Sequence, residues 1–111
     1  MALTNGQIST IKKRITTDQD KLTVIFNAVS DPTRCRTFRL LMVTHGEDVK
    51  VTDIAHVMGM TVPAISQQLK ILEQSGLVTR EKVGQTVYYR IKNDDTLVNS
   101  IVKIIQDEQD K

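Results

Sequence analysis

A chain of 111 residues with 40% hydrophobic but only 4% aromatic content, and no tryptophan, has material for one aliphatic core and little more. Its net charge of +2 is too small to declare a partner, and a single cysteine, Cys35, excludes a disulfide within the chain. No apolar run approaches the roughly 20 residues that span a bilayer. The Met1-Ala2-Leu3-Thr4 start carries no signal pattern, so a cytoplasmic protein without a membrane partner is expected.

In chain order, Ile8, Ile11 and Ile15 fall at i, i+3 and i+7, an apolar helical stripe flanked by Lys12, Lys13 and Arg14. Leu22, Ile25, Phe26 and Val29 form a second stripe, which should stop near Ser30. Asp31 and Pro32 then start a third helix, a capping carboxylate followed by proline at the first helical position. Phe38, Leu41 and Met42 give this helix its buried face, and His45-Gly46 should end it. Its three arginines, Arg34, Arg36 and Arg39, are expected at the surface, paired with carboxylates.

The stretch from Thr52 to Val78 is the most informative part of the chain. Ile54, Ala55 and Met58 share one face of a short helix for which Thr52 is the expected cap, and Gly59 supplies the left-handed backbone that ends it. Thr61 caps the next helix, Pro63 sits in its first turn, and Ile65, Leu69 and Leu72 form its buried stripe. Pro63, Ala64, Ser66, Gln67 and Lys70 are left on the opposite face, which holds no acidic residue before Glu73. Such a face suits a helix laid in the DNA major groove. After Gly76, Leu77 to Glu81 and Thr86 to Ile91 read as two strands around Lys82-Val83-Gly84-Gln85, with Val87, Tyr89 and Ile91 alternating to one side. Helix, turn, helix and basic hairpin in that order make a winged helix. The segment 61–92 holds five cations against two carboxylates and 94–111 the reverse, a basic reader beside an acidic tail. Leu97, Ile101, Ile104 and Ile105 form a last helical stripe.

Asp31-Pro32-Thr33-Arg34, Thr52-Asp53-Ile54-Ala55, the run Ser66 to Leu72, Ser75-Gly76-Leu77-Val78 and the run Gly84 to Ile91 together resemble the ArsR/SmtB family of bacterial winged-helix repressors, over roughly residues 20 to 105. The resemblance implies a homodimer that binds an inverted-repeat operator and releases it when an inducer binds or a thiol is oxidised. Metal-sensing members place two cysteines where this chain has Lys50 and Thr52, and an ammonium and a hydroxyl make no soft-metal site. A second family site corresponds to Asn93, Asp95, Gln106 and Gln109, of which only Asp95 is a credible ligand. No metal and no cofactor are therefore expected, and the inducer is unknown. Asp94, Asp95 and Asp107 read as a solvated acidic face, and His45 and His56 as surface residues without a second ligand at local spacing. Cys35, between Arg34 and Arg36, reads first as a small core residue, because the resemblance puts a leucine-like side chain there, and alternatively as an oxidisable thiolate.

The expected fold is mostly α with a small β-hairpin wing, in the order ααααα-ββ-α. Residues 1–19 form a dimerising arm, 20–92 the DNA-binding domain, with reader helices at about 52–58 and 62–75 and a wing at about 78–91, and 93–111 a dimerisation helix with an acidic tail. The expected DNA contacts are Thr52, Thr61, Pro63, Ala64, Ser66, Gln67, Lys70, Lys82 and Gln85. The expected dimer contacts are Ile8, Ile11, Ile15, Leu97, Ile101, Ile104 and Ile105. No phosphate-cradling loop or nucleophile-and-base spacing points to an enzyme. The rival readings are a winged-helix module for binding proteins and a repressor that senses oxidants through Cys35.

Overall fold

The computed structural model describes residues 2–16, 20–44 and 48–109. Its elements are α1 (Asn5–Ile15), α2 (Lys21–Ser30), α3 (Pro32–Val43), α4 (Val51–Met58), α5 (Val62–Gln74), β1 (Val78–Val83), β2 (Thr86–Ile91) and α6 (Thr96–Gln109). Most helix starts are set by side-chain caps. Thr4 and Gln7 form a reciprocal capping box on α1, and Asp20, Asp31 and Thr61 accept the amides of Thr23, Arg34 and Ala64.

The exception is α4, which begins one residue earlier than expected. Lys50 is its cap residue, in extended conformation and without a side-chain cap bond, because an ammonium has no lone pair to accept a helix amide; its backbone forms an antiparallel bridge to Tyr88. Thr52 is therefore not the cap, and lies exposed in the first turn. The expected end of α3 at His45-Gly46 lies outside the described residues.

β1 and β2 pair antiparallel from Val78↔Ile91 to Val83↔Thr86, so the strands run to the tip and the turn narrows from the expected four residues to Gly84 and Gln85. Gly84 has φ +62 while Gln85 does not have a positive φ, the pattern of a two-residue turn that needs glycine first. A single bridge joins Lys50 to Tyr88 of β2, and Arg90 of β2 pairs with Asp48 in the same segment.

One core joins α2 to α6. Ile25, Phe38, Ile54, Ile65, Leu69, Leu72, Leu77 and Val98 are fully buried in it, with Val78, Ile101 and Ile105 close behind. Hence Ile101 and Ile105, at 3% and 6% exposure, are packing residues of their own domain and not surface offered to a partner, a correction to the expected dimer stripe. The physical reason is that α6 lies across the domain and spends the centre of its stripe there, which leaves Ile104, 58% exposed, on its flank. Leu97 is half-buried against the same core. By contrast, α1 buries no residue at all, and Ile8, Ile11 and Ile15 are exposed. On α2, Leu22 and Phe26 remain 44% and 46% exposed, although the periodicity grouped them with the buried Ile25.

Two further side chains differ from expectation. Among the described residues Arg34 pairs with no carboxylate; its Nε and terminal nitrogen donate to the carbonyls of Ala28 and Asn27 at 2.7 and 3.2 Å, satisfying the end of α2 across the tight Asp31 junction. Asp95 caps α6, accepting the amides of Leu97 and Val98 at 2.9 and 3.1 Å, and also takes Lys21 Nζ at 2.5 Å. The Lys21 contact first, and the Val98 amide second, hold its carboxyl below the usual carboxylate range.

A carboxylate held low in the folded state stabilises the fold above its unfolded pKa, and that contribution fades as pH falls through the folded value. Asp95→Asn should accordingly lower the melting temperature at neutral pH. The gap from the parent should shrink as pH drops below the ordinary 3.8, and a gap independent of pH in thermal melts would remove Asp95 from this role.

Candidate nucleic-acid interface

The second reader helix is held by its apolar side. With Ile65, Leu69 and Leu72 fully buried, Pro63, Ser66, Gln67, Lys70 and Gln74 are turned to solvent along the opposite face. Thr61, at the start, accepts the Ala64 amide at 3.3 Å, and its exposed position keeps the hydroxyl at the mouth of the helix. Ala64 is half-buried on the flank, so it presents less surface than the sequence pattern suggested. Of the two neighbouring glutamines only Gln67 is presented outward, since Gln68 is half-buried with its Oε1 withdrawn from solvent.

Gly59, with φ +64, turns the chain between α4 and α5, and the amide of Met60 returns to the Ala55 carbonyl at 3.0 Å. This turn places Thr52 and His56 on the exposed part of α4 and leaves α5 projecting.

The wing adds the cations. Paired residues of an antiparallel hairpin share a face, so the register puts Arg80, opposite Tyr89, and Lys82, opposite Val87, on the same side as Val78. Glu81 lies on the other side with Tyr88. The alternation thus separates these two cations, unpaired among the described residues, from the acid between them, which a count of charges along the hairpin does not reveal. Arg80, one of the cations of the basic hairpin but outside the expected contact set, shares the face of Lys82, as the period of two in β1 signals. Arg90 is not equivalent, being engaged with Asp48. Gln85 occupies the exposed turn.

The remaining expectations fall elsewhere. Cys35 is half-buried against the core on α3. Among the described residues no three His, Cys, Asp or Glu side chains gather at metal-holding distance. Asp95 is taken up by the α6 cap and Lys21, and Asp107 is exposed. No helix among the described residues is long and apolar enough to cross a membrane.

The model of the bacterial regulatory protein arsR family matches residues 31–80, from the start of α3 into β1. The transcriptional repressor SdpR of Bacillus subtilis is 38% identical over 77 residues, which cover 69% of this chain and 81% of that protein. The chain belongs to the ArsR family. It is a winged-helix, DNA-binding transcriptional regulator of that family. The transcriptional repressor SmtB homolog of Synechocystis is 33% identical over 72 residues, 65% of this chain but only 52% of that longer protein. Among solved structures, HlyU from Vibrio cholerae shares the fold with a TM-score of 0.72 at 22% identity, covering 86% of this chain and 100% of the other. Family membership accounts for the region of the match, which contains α4, the Gly59 turn and α5 in full.

The Gly84 turn offers a local check on the wing. A Cβ there would meet no atom within 4 Å, so Gly84→Ala should cost only the backbone penalty of a left-handed residue, about 1 to 2 kcal/mol. Lys82→Ala, two residues away and exposed, should stay within about 0.5 kcal/mol of the parent. Urea unfolding of both variants measures the difference.

Proposed function

We propose that the protein is a cytoplasmic homodimeric repressor that reads an inverted-repeat operator, with α5 of each copy in a major groove and the wing alongside the phosphates. The supporting observation is the exposed α5 face of Pro63, Ser66, Gln67 and Lys70, acid-free and backed by three fully buried residues. Ser66 and Gln67 hydrogen-bond base edges, and Pro63 with the half-exposed Ala64 meets thymine methyls. Lys70, Lys82, Gln85, Thr52 and Thr61 fix the backbone, and Arg80 joins them on the Lys82 side of the wing.

One helix reads only a few base pairs, and two copies about 34 Å apart read successive grooves. Dimerisation gives α1 the partner it lacks within its own chain, burying Ile8, Ile11 and Ile15 with Ile104 and the half-buried Leu97. The apolar face of α2, through Leu22 and Phe26, extends the same surface. Release of the operator is triggered by an inducer other than a metal at the usual family positions, since Lys50 and Thr52 replace the thiolates there.

Binding to DNA selected from a random pool tests the reading. Gln67→Ala should mainly relax sequence preference, by about 1 to 3 kcal/mol at the base it contacts. Lys82→Ala should weaken all sites alike and make the slope of log affinity against log salt shallower by about one unit. Affinity flat in salt would instead favour a module that binds proteins, and equal loss of preference in both variants would sink the division of labour.

The dimer has its own measurement. Ile11→Glu places a charge in the middle of the α1 stripe, and sedimentation should show a monomer that keeps the cooperative melt of the core, because α1 buries nothing in it. A dimer unaffected by that substitution would move the interface elsewhere.

A further inference from the structure

A groove of about 460 Å³ runs between the end of α3, the base of the wing and α6, within the size range of small-molecule sites. Its apolar lining includes Leu41, Ile91 and Val102, and its polar lining includes Asn99, Gln106 and Arg90. No carboxylate lines it among the described residues, and Arg90 is the one ionic side chain that does. That charge disfavours a cation and matches an anion.

The groove is also distinct from the surface assigned to the second copy. On α6, Asn99, Val102 and Gln106 follow at i, i+3 and i+7 on one side of the buried Val98, Ile101 and Ile105, whereas Leu97 and Ile104 follow at i and i+7 on the other. A partner on the Leu97 and Ile104 flank leaves the groove open.

Arg90 connects the groove to the reader. Its guanidinium holds Asp48, in the segment whose Lys50 bridges Tyr88 and then starts α4. The pair is half-exposed, at 44% and 55% for the two side chains, and such a pair exchanges partners at little cost.

We propose that this groove binds a small organic monoanion, with its apolar body against Leu41, Ile91 and Val102 and its carboxylate on Arg90. Drawing Arg90 from Asp48 loosens the base of the wing from the segment leading into α4, and so weakens DNA binding. The binding half stands on the groove alone; the switching half rests on the DNA-binding reading above.

Benzoate and its uncharged analogue benzamide, titrated into the methyl-labelled full chain and followed by NMR, test both halves. Benzoate should shift the Ile91 and Val102 methyls saturably, with roughly tenfold preference over benzamide. Arg90→Gln should erase that preference. Asn99→Trp, at an exposed position that puts no load on the core, should raise the benzoate Kd at least tenfold by filling the mouth. Absence of saturable shifts, equal affinity for benzamide, or unchanged binding in Asn99→Trp overturns the site. With selected DNA, saturating benzoate should raise the Kd several-fold in the parent and not in Asn99→Trp. An unchanged DNA affinity with benzoate bound overturns the switch, and a chain that binds benzoate but no DNA overturns the repressor reading while the groove stands.

Discussion

Ile65, Leu69 and Leu72 are each fully buried, and an α-helix turns about 100° per residue, so their burial decides what the rest of α5 can present. With three anchors at i, i+4 and i+7, the helix cannot roll without pulling a large aliphatic side chain out of the core, at about 1.5 to 3 kcal/mol for each. Pro63, Ser66, Gln67 and Lys70 are thereby held outward at a fixed pitch. The same packing layer receives Ile54 from α4 and Leu77 and Val78 from the entry to β1, so the turn at Gly59 and the wing take their positions from α5 as well. Rigid support on one side of the helix is what makes a polar face on the other side usable for recognition.

The core does not take all of the apolar residues. Besides single valines such as Val43, Val57 and Val83, the larger ones fall on and just before α1, on the Leu22 and Phe26 side of α2, and at Ile104 of α6. A 111-residue chain packed as a sphere-like domain would have a radius of gyration near 13 Å, and the observed 17.9 Å reflects a helix, α1, that lies outside the core. An amphipathic helix with a capping box and no buried residue has few means of stability within its own chain, since isolated helices of this length are marginal in water. Within its own chain, α1 therefore rests on its capping box and local hydrogen bonds alone.

Much of this was legible in the residues because it depends on local rules. Asp31-Pro32 and Thr61 with Pro63 announce helix starts, Gly59 and Gly84 announce left-handed turns, and each appears where its chemistry requires. The α5 face was readable for the same reason, as the period of its apolar residues leaves the polar side no alternative. What was not legible came from contacts distant in sequence. α4 starts ahead of Thr52, directly after the bridge from Lys50 to Tyr88, 38 residues later, which no local pattern reports. Arg34 found carbonyls in place of carboxylates because of how α2 and α3 meet. Periodicity gave Ile101, Ile104 and Ile105 one stripe, yet only packing shows that two belong inside and one on the flank.

The segment from Asp48 to Lys50 has two mechanical connections at once. Through Arg90 and Tyr88 it is tied to β2, and through the Lys50 carbonyl, which accepts the Ile54 amide at 3.0 Å, it begins α4. The family resemblance looks for the first thiolate at Lys50 itself, the residue that bridges to β2 and caps α4, so the wing and the first reader helix meet at one position. In this chain the side chain at the bridge is an ammonium, and the segment's other contact is the Asp48 carboxylate on Arg90. The ion pair between Arg90 and Asp48 lies on the wing side of the domain, outside the buried anchors of α5, so a change there acts on β2, the strand that pairs with Arg80 and Lys82, before it reaches the core.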